Sequence, residues 1–295
     1  MIREALRAVA AVLCCAVLAG CTGSEESPRA TAPPTQAPVT SEAEPSASAT
    51  PSTTPTPEPE HFDDWVVGAS PLPLRPDGFG EVRRTPRELR TRRLRTVDVL
   101  PPPADGRFHT TTGPVTEAFV RRTDLAWEPG CPVALTDLRW LELSFWGFDD
   151  QPHTGRLVVN ASVAEDVVTV FRALFRARFP LEEMRLVTNA DLDAPPTGDG
   201  NTTAAYACRP TVGTTTWSAH AYGLAVDVNP FQNPYRRGDL VVPELASSYL
   251  DRAWRRPGMI FPDGVVVRAF DRVGWTWGGT FQSVLDLQHF SATGR

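Results

Sequence analysis

The residues best equipped for chemistry fall in two short stretches of the C-terminal third. Ser218 to Pro230 reads SAHAYGLAVDVNP and holds His220 and Asp227. Asp286 to Phe290 reads DLQHF and holds Asp286 and His289. Two imidazoles and one carboxylate make a three-donor set suited to a catalytic Zn2+, with a fourth position left open. A further carboxylate, three residues before the last histidine, is placed to take a proton from water activated there. A His–Asp pair on a strand is also a common structural hydrogen bond. The second His, the second Asp and the nearby Trp217, Tyr222, Gly223, Trp277 and Gly279 favour the metal reading. Only five histidines occur in the chain, and two lie in these motifs.

Donors so far apart in sequence can meet only if the chain brings them together. Leu224, Val226 and Val228 alternate with small or polar residues, and Leu285, Leu287 and Phe290 bracket Asp286 and His289. Both segments therefore read as strands. Zinc takes its nitrogen and oxygen ligands at about 2.0–2.2 Å, so the two strands are expected side by side. Gly223, between His220 and Asp227, allows the turn or bulge that points both side chains to one centre.

The pattern SxHxxGxAxD, followed by a late DxxHF, resembles the zinc D-alanyl-D-alanine carboxypeptidases and their relatives, the D,D-dipeptidases and L-alanyl-D-glutamate endopeptidases. AYACR (Ala205 to Arg209), TTTW (Thr214 to Trp217), NPFQNPY (Asn229 to Tyr235) and GWTWGG (Gly274 to Gly279) extend the resemblance over roughly Gly130 to Phe290. It implies a Hedgehog/D-Ala-D-Ala peptidase-like fold and hydrolysis of peptidoglycan peptides. His220, Asp227 and His289 would hold Zn2+, Asp286 would act as the base, and Arg209 would steady an oxyanion or a substrate carboxylate. Ser218 and His153 are further candidates for substrate hydrogen bonds. Trp217, Tyr222 and Trp277 either wall the cleft or belong to the core. Many carboxypeptidase members carry Glu where this chain has Asp286, and endopeptidase members more often carry Asp. The scissile bond therefore stays open between the two, as does a zinc-stabilised wall-binding module without catalysis; a pure binder would have no need of Asp286. A serine-type penicillin-binding enzyme would want Ser-x-x-Lys, and the chain has no lysine.

The N-terminus reads as targeting. Arg3 and Arg7 precede an apolar run, Ala8 to Leu18, too short to span a bilayer as an ordinary helix. It ends in LAGC, so residues 1–21 are expected to be a lipoprotein signal with Cys21 as the lipid-bearing residue. The mature protein is then extracytoplasmic and tied to the cell membrane. Residues 22–60 are rich in Ser, Thr, Pro, Ala and Glu and read as a disordered stalk. Residues 61–104 form a transition segment. Thr85-Pro86-Arg87-Glu88 looks like a helix start, and Arg90 to Arg95 read as a solvated face or a basic patch. The formal net charge of −6 gives no support to nucleic-acid binding. The expected partners are peptidoglycan peptides and the membrane, with the chain as a monomer.

Residues 105–295 are expected to form one α+β domain: a mostly antiparallel sheet of about four to six strands, helices on one face and the zinc cleft on the other. Arg139 to Phe148, Arg156 to Val159 and Met184 to Val187 read as strands. Val163, Val167, Val170, Phe171, Leu174 and Phe175 recur at helical spacing behind a Ser162–Glu165 capping box, with Pro180 as the stop. Asp191 to Asn201 reads as a loop, Pro243 to Trp254 as a helix, and Asp263-Gly264 as the opening of another, stopped by Gly274. Cys14 and Cys15 leave with the signal. Cys131 and Cys208 remain, and two cysteines in an exported domain imply a disulfide worth about 3–5 kcal/mol by chain entropy.

Overall fold

The computed structural model describes residues 65–294. The leader, Cys21 and the stalk lie outside the described residues, as does the start of the segment from 61. No helix among the described residues is long and apolar enough to cross a membrane.

Helix and antiparallel sheet alternate along the chain, an α+β arrangement. Strand β1 (Thr110–Pro114) and helix α1 (Glu117–Thr123) come first; neither has a period that marks it in the sequence. The long hairpin of β2 (Leu138–Trp146) and β3 (Pro152–Asn160) follows, pairing Leu141 with Leu157 and Phe145 with His153. With β1 it makes a three-stranded antiparallel sheet. Helix α2 (Ala164–Arg176) lies on one face of that sheet, because Val167, Val170, Phe171 and Leu174 project from one side of it at three- and four-residue steps. The Ser162–Glu165 box does not form. Asn160 caps a preceding 3-10 turn by accepting from Ser162 N, and α2 starts on Val163 without a side-chain cap.

Strand β4 (Glu183–Met184) is shorter than expected. The stretch read as a loop opens with a short helix, α3 (Asn189–Asp193), closed by a Thr188–Asp191 capping box. Strand β5 (Thr202–Thr203) runs parallel to β4. Strands β6 (Ala225–Asp227), β7 (Tyr235–Arg237) and β8 (Leu240–Val242) lead to helix α4 (Val265–Asp271), with Gly264 at its N-cap as the sequence suggests. Strands β9 (Thr276–Trp277), β10 (Leu285–Asp286) and β11 (His289–Ser291) end the fold.

The expected single sheet is instead distributed. One small sheet has the order β10-β7-β8 and another β6-β11-β9. A bridge between Ala204 and Asp227 joins β5 to β6, so β4-β5-β6-β11-β9 runs continuously. The helix expected over Pro243 to Trp254 is only a 3-10 turn, Ser247–Leu250. The Arg252 guanidinium takes the Tyr249 carbonyl and that of Arg256 the Ser248 carbonyl, the groups that later amides of a helix would need. At Thr85 the hydroxyl engages Ser247 and Ser248 instead of opening a helix, and a 3-10 turn at Arg87–Leu89 is all that follows.

Residues 65–104 pack against the domain. Leu72 and Leu89 join Phe231, Leu245 and Tyr249 in a cluster of their own. Arg92 is 1 % exposed and grips Glu182 through two hydrogen bonds of 2.6 Å, with a third to the Asp199 carbonyl. The arginine run is therefore not a uniform patch: its central member is a buried, paired anchor, which a charge can be only when its bonds are met. Cys131 and Cys208 form the expected disulfide, tying the loop before β2 to the segment before the SAHAYG motif.

Candidate metal centre

His220 sits on a 3-10 turn, Ala219–Tyr222, not on a strand. Ser218 caps that turn, its hydroxyl accepting from His220 N at 3.3 Å. The turn closes on Gly223 at φ +67°, where a Cβ would stand 2.5 Å from Asn160 N. Left-handed backbone and a neighbouring main chain both exclude a side chain here. This reversal sends the chain into β6 with Asp227 turned back towards His220.

Strands β6 and β11 lie side by side and antiparallel, as the donor spacing requires, with His289 directly opposite Asp227. Opposed residues share a face and their neighbours take the other. Val226 and Phe290, the next pair, enter the main core, where Phe270 of α4 stacks on Phe290 with ring centroids 4.0 Å apart. The strand period thus divides the pair: apolar side chains to the helices, Asp227 and His289 away from them.

His220 Nε2 lies 3.3 Å from Asp227 Oδ2, and His289 Nδ1 lies 3.0 Å from Asp227 Oδ1. One donor atom from each of the three residues falls within 4.8 Å of the others. The Ala205 carbonyl accepts from His220 Nδ1 at 2.5 Å. That bond keeps a proton on Nδ1 and aims Nε2 at Asp227, where it donates to the carboxylate or, with that proton lost, offers its lone pair to a cation; it is the outer support that metal-binding histidines require. The neighbouring Ala204 exchanges both backbone hydrogen bonds with Asp227, at 2.9 and 3.1 Å, so one segment orients two of the three donors. Burial works to raise the Asp227 pKa. The charge of His220 and hydrogen bonds from both imidazoles outweigh it and hold the carboxyl well below the usual range.

Asp286 lies near this group on β10. Burial first, then the charge of Asp227, push its pKa up to about 7, with His289 pulling the other way. Its Oδ1 is buried without a hydrogen-bond partner among the described residues. Gly278 explains the close approach: a Cβ there would lie 2.5 Å from Asp286 O and 3.2 Å from His289 Cβ. Two histidines, one kept in the metal-ready tautomer, a carboxylate between them and an orphaned carboxyl oxygen close by fit a zinc ion.

The other sequence candidates scatter. Arg209 lies just upstream, its carbonyl accepting from Ser218 N and its guanidinium donating to Pro210 O. Tyr222, on the His220 turn, is 38 % exposed. Trp217 is partly buried against the cluster that contains Tyr206 and Cys208. Trp277 is core rather than cleft wall: it is buried, stacks on Phe290 and donates its Nε1 hydrogen to Leu287 O. His153 is elsewhere, seven residues along β3 from Asn160, roughly 23 Å at strand rise. Its ring is held by Asp98 and Asp149 and stabilises the hairpin loop. Missed from the sequence were Ala205, which acts through its carbonyl, and Gly278. Only the GG after Trp277 hinted at the latter.

Residues 212–292 match a protein-family model described as D-alanyl-D-alanine carboxypeptidase. The matched stretch contains His220, Asp227, Asp286 and His289 and stops short of Arg209, and it supports a peptidase of the metal-dependent, peptidoglycan-acting kind. No curated protein and no solved structure matches the chain.

Proposed function

We propose that the chain is a zinc-dependent peptidase that hydrolyses peptide bonds in peptidoglycan stem peptides, in the first place as a D-alanyl-D-alanine carboxypeptidase. The observation that carries this reading is the meeting of His220, Asp227 and His289 with a protonatable Asp286 beside them. The three would hold Zn2+, which supplies Lewis acidity that polarises a carbonyl and makes water nucleophilic near neutral pH.

The protein's own groups do the rest. The Ala205 carbonyl keeps the His220 tautomer constant through turnover. Asp286 accepts a proton from the attacking water and returns it to the leaving amine; its pKa, about 7 without a cation, falls when one is bound beside it, so the carboxylate is the form that meets the water. Oδ1, unclaimed by the protein, is the atom suited to receive it. Arg209 offers a guanidinium to a substrate carboxylate or a developing oxyanion. Ser218 holds the His220 turn, and Tyr222 on the same turn is exposed to an incoming peptide. Asp at 286 favours an L-alanyl-D-glutamate endopeptidase as the second reading. A lipid on Cys21 would hold the enzyme at the cell envelope, with the stalk setting its reach into the wall.

Digestion of purified muropeptides with and without chelator, followed by mass analysis, tests the assignment. Chelator-sensitive loss of a terminal D-alanine marks the carboxypeptidase, and split stem peptides mark the endopeptidase. Intact muropeptides after incubation of zinc-loaded protein would refute both.

A further inference from the structure

A pocket of about 340 Å³ has Arg84, Thr85, Arg90, Ser247, Asp251 and Trp254 in its lining and shares no residue with the metal centre. Its size is at the small end for ligand sites. Arg84 is exposed and Arg90 half-buried, and neither guanidinium has an ion-pair or hydrogen-bond partner among the described residues. The nearest acids in sequence, Glu81 and Glu88, are engaged by Arg83 and Arg87. Asp251 is the one carboxylate in the lining, and its Oδ1 accepts from Ala253 N.

Beneath the pocket lies Arg256, 6 % exposed. Its guanidinium stands 3.6 Å from the Tyr249 ring and 4.0 Å from the Trp254 ring. It donates to Arg90 O and Ser248 O, and its Nε is buried with no partner. In a chain of net charge −6, two arginines line this small cavity and a third, Arg256, lies under its Trp254.

Trp254 is 43 % exposed although its ring is held by Arg256. A fixed, half-open indole next to two unpaired guanidinia is a two-part recognition surface. The ring offers a flat apolar face, and the guanidinia offer forked donors for a planar or tetrahedral anion. We propose that this pocket binds an anionic sugar residue, its ring against Trp254 and its phosphate or carboxylate on Arg84 and Arg90. Such a site holds the domain on a charged glycan while the metal centre acts elsewhere, and it stands whether or not the proposed hydrolysis does.

Calorimetric titration of the full chain at low ionic strength tests this with four probes: glucose 1-phosphate, glucuronate, glucose and inorganic phosphate. At least one anionic sugar is expected to bind more tightly than both glucose and inorganic phosphate, and which one binds identifies the anionic group. Its Kd should rise about tenfold or more in Arg84→Gln, in Arg90→Gln and in Trp254→Ala, the loss of one charge-assisted contact or one stacked ring. Added salt should weaken it further. Arg84 is exposed, so Arg84→Gln should keep the wild-type melting temperature, metal content and hydrolysis, and it carries the test if Trp254→Ala unfolds. No binding of either anionic sugar at millimolar concentration overturns the proposal. So does equal binding of inorganic phosphate, or an unchanged Kd in Arg84→Gln.

Discussion

Asp286→Asn in the metal-free protein tests the electrostatics of the centre directly. Burial and the charge of Asp227 carry the Asp286 carboxyl from an ordinary 3.8 to about 7. Between those values the folded state keeps a proton that the unfolded state has lost. Stability contributed by this group therefore falls as pH rises from about 4 to about 7 and is level above that. At 1.36 kcal/mol per pH unit, the penalty is about 1.6 kcal/mol at pH 5 and reaches about 4 kcal/mol at pH 8. The amide cannot ionise and escapes it. Its own unmet hydrogen bonds add a constant that cancels when two pH values are compared. Urea unfolding of wild type and Asp286→Asn in chelator should show the variant gaining about 2–3 kcal/mol relative to wild type between pH 5 and pH 8. Saturating zinc should shrink that gain, because a cation favours the carboxylate. In the zinc-loaded state the same variant should keep its metal and lose about 10²–10⁴ in rate, the usual share of a general base. A stability difference that stays flat with pH would mean that this carboxyl is solvated and ordinary, and the role assigned to it would go.

Other outcomes follow from the same geometry. His220→Ala and His289→Ala should each lose both bound zinc, read by elemental analysis, and muropeptide hydrolysis. Gly278→Ala should push the turn after β9 away from Asp286 and His289 and lower zinc affinity by about 10–100-fold, the range seen when support around a ligand is disturbed; equilibrium competition with a chromophoric chelator reads this, and unchanged affinity would contradict the close approach. Glu182→Gln should cost about 3–5 kcal/mol in chemical denaturation, because it leaves the Arg92 charge buried and half-paired. Replacing Cys131 and Cys208 by Ser should lower stability by about 2–5 kcal/mol, measured the same way.

The chemistry was legible in the letters because metal donors are few and identity-specific. Two of the five histidines, with two aspartates, could be picked out by type and spacing alone. Helix α2 was legible for a similar reason: a side chain every three or four residues must be apolar if the helix is to cover a sheet. Residue type stopped being informative where the work is done by backbone or by absence of atoms. Ala205 acts through a carbonyl that every residue has, and Gly278 through a missing Cβ. His153 and Trp277 carry the right atoms for a cleft, yet their partners turned out to be Asp98 and Asp149 in one case and Leu287 and Phe290 in the other. Only tertiary structure sets that, since distance through space decides which donor each acceptor meets. The segment before residue 105 teaches the same lesson. Nothing in the run of arginines marks Arg92 as the buried one; the position of Glu182, brought close by the fold, selects it.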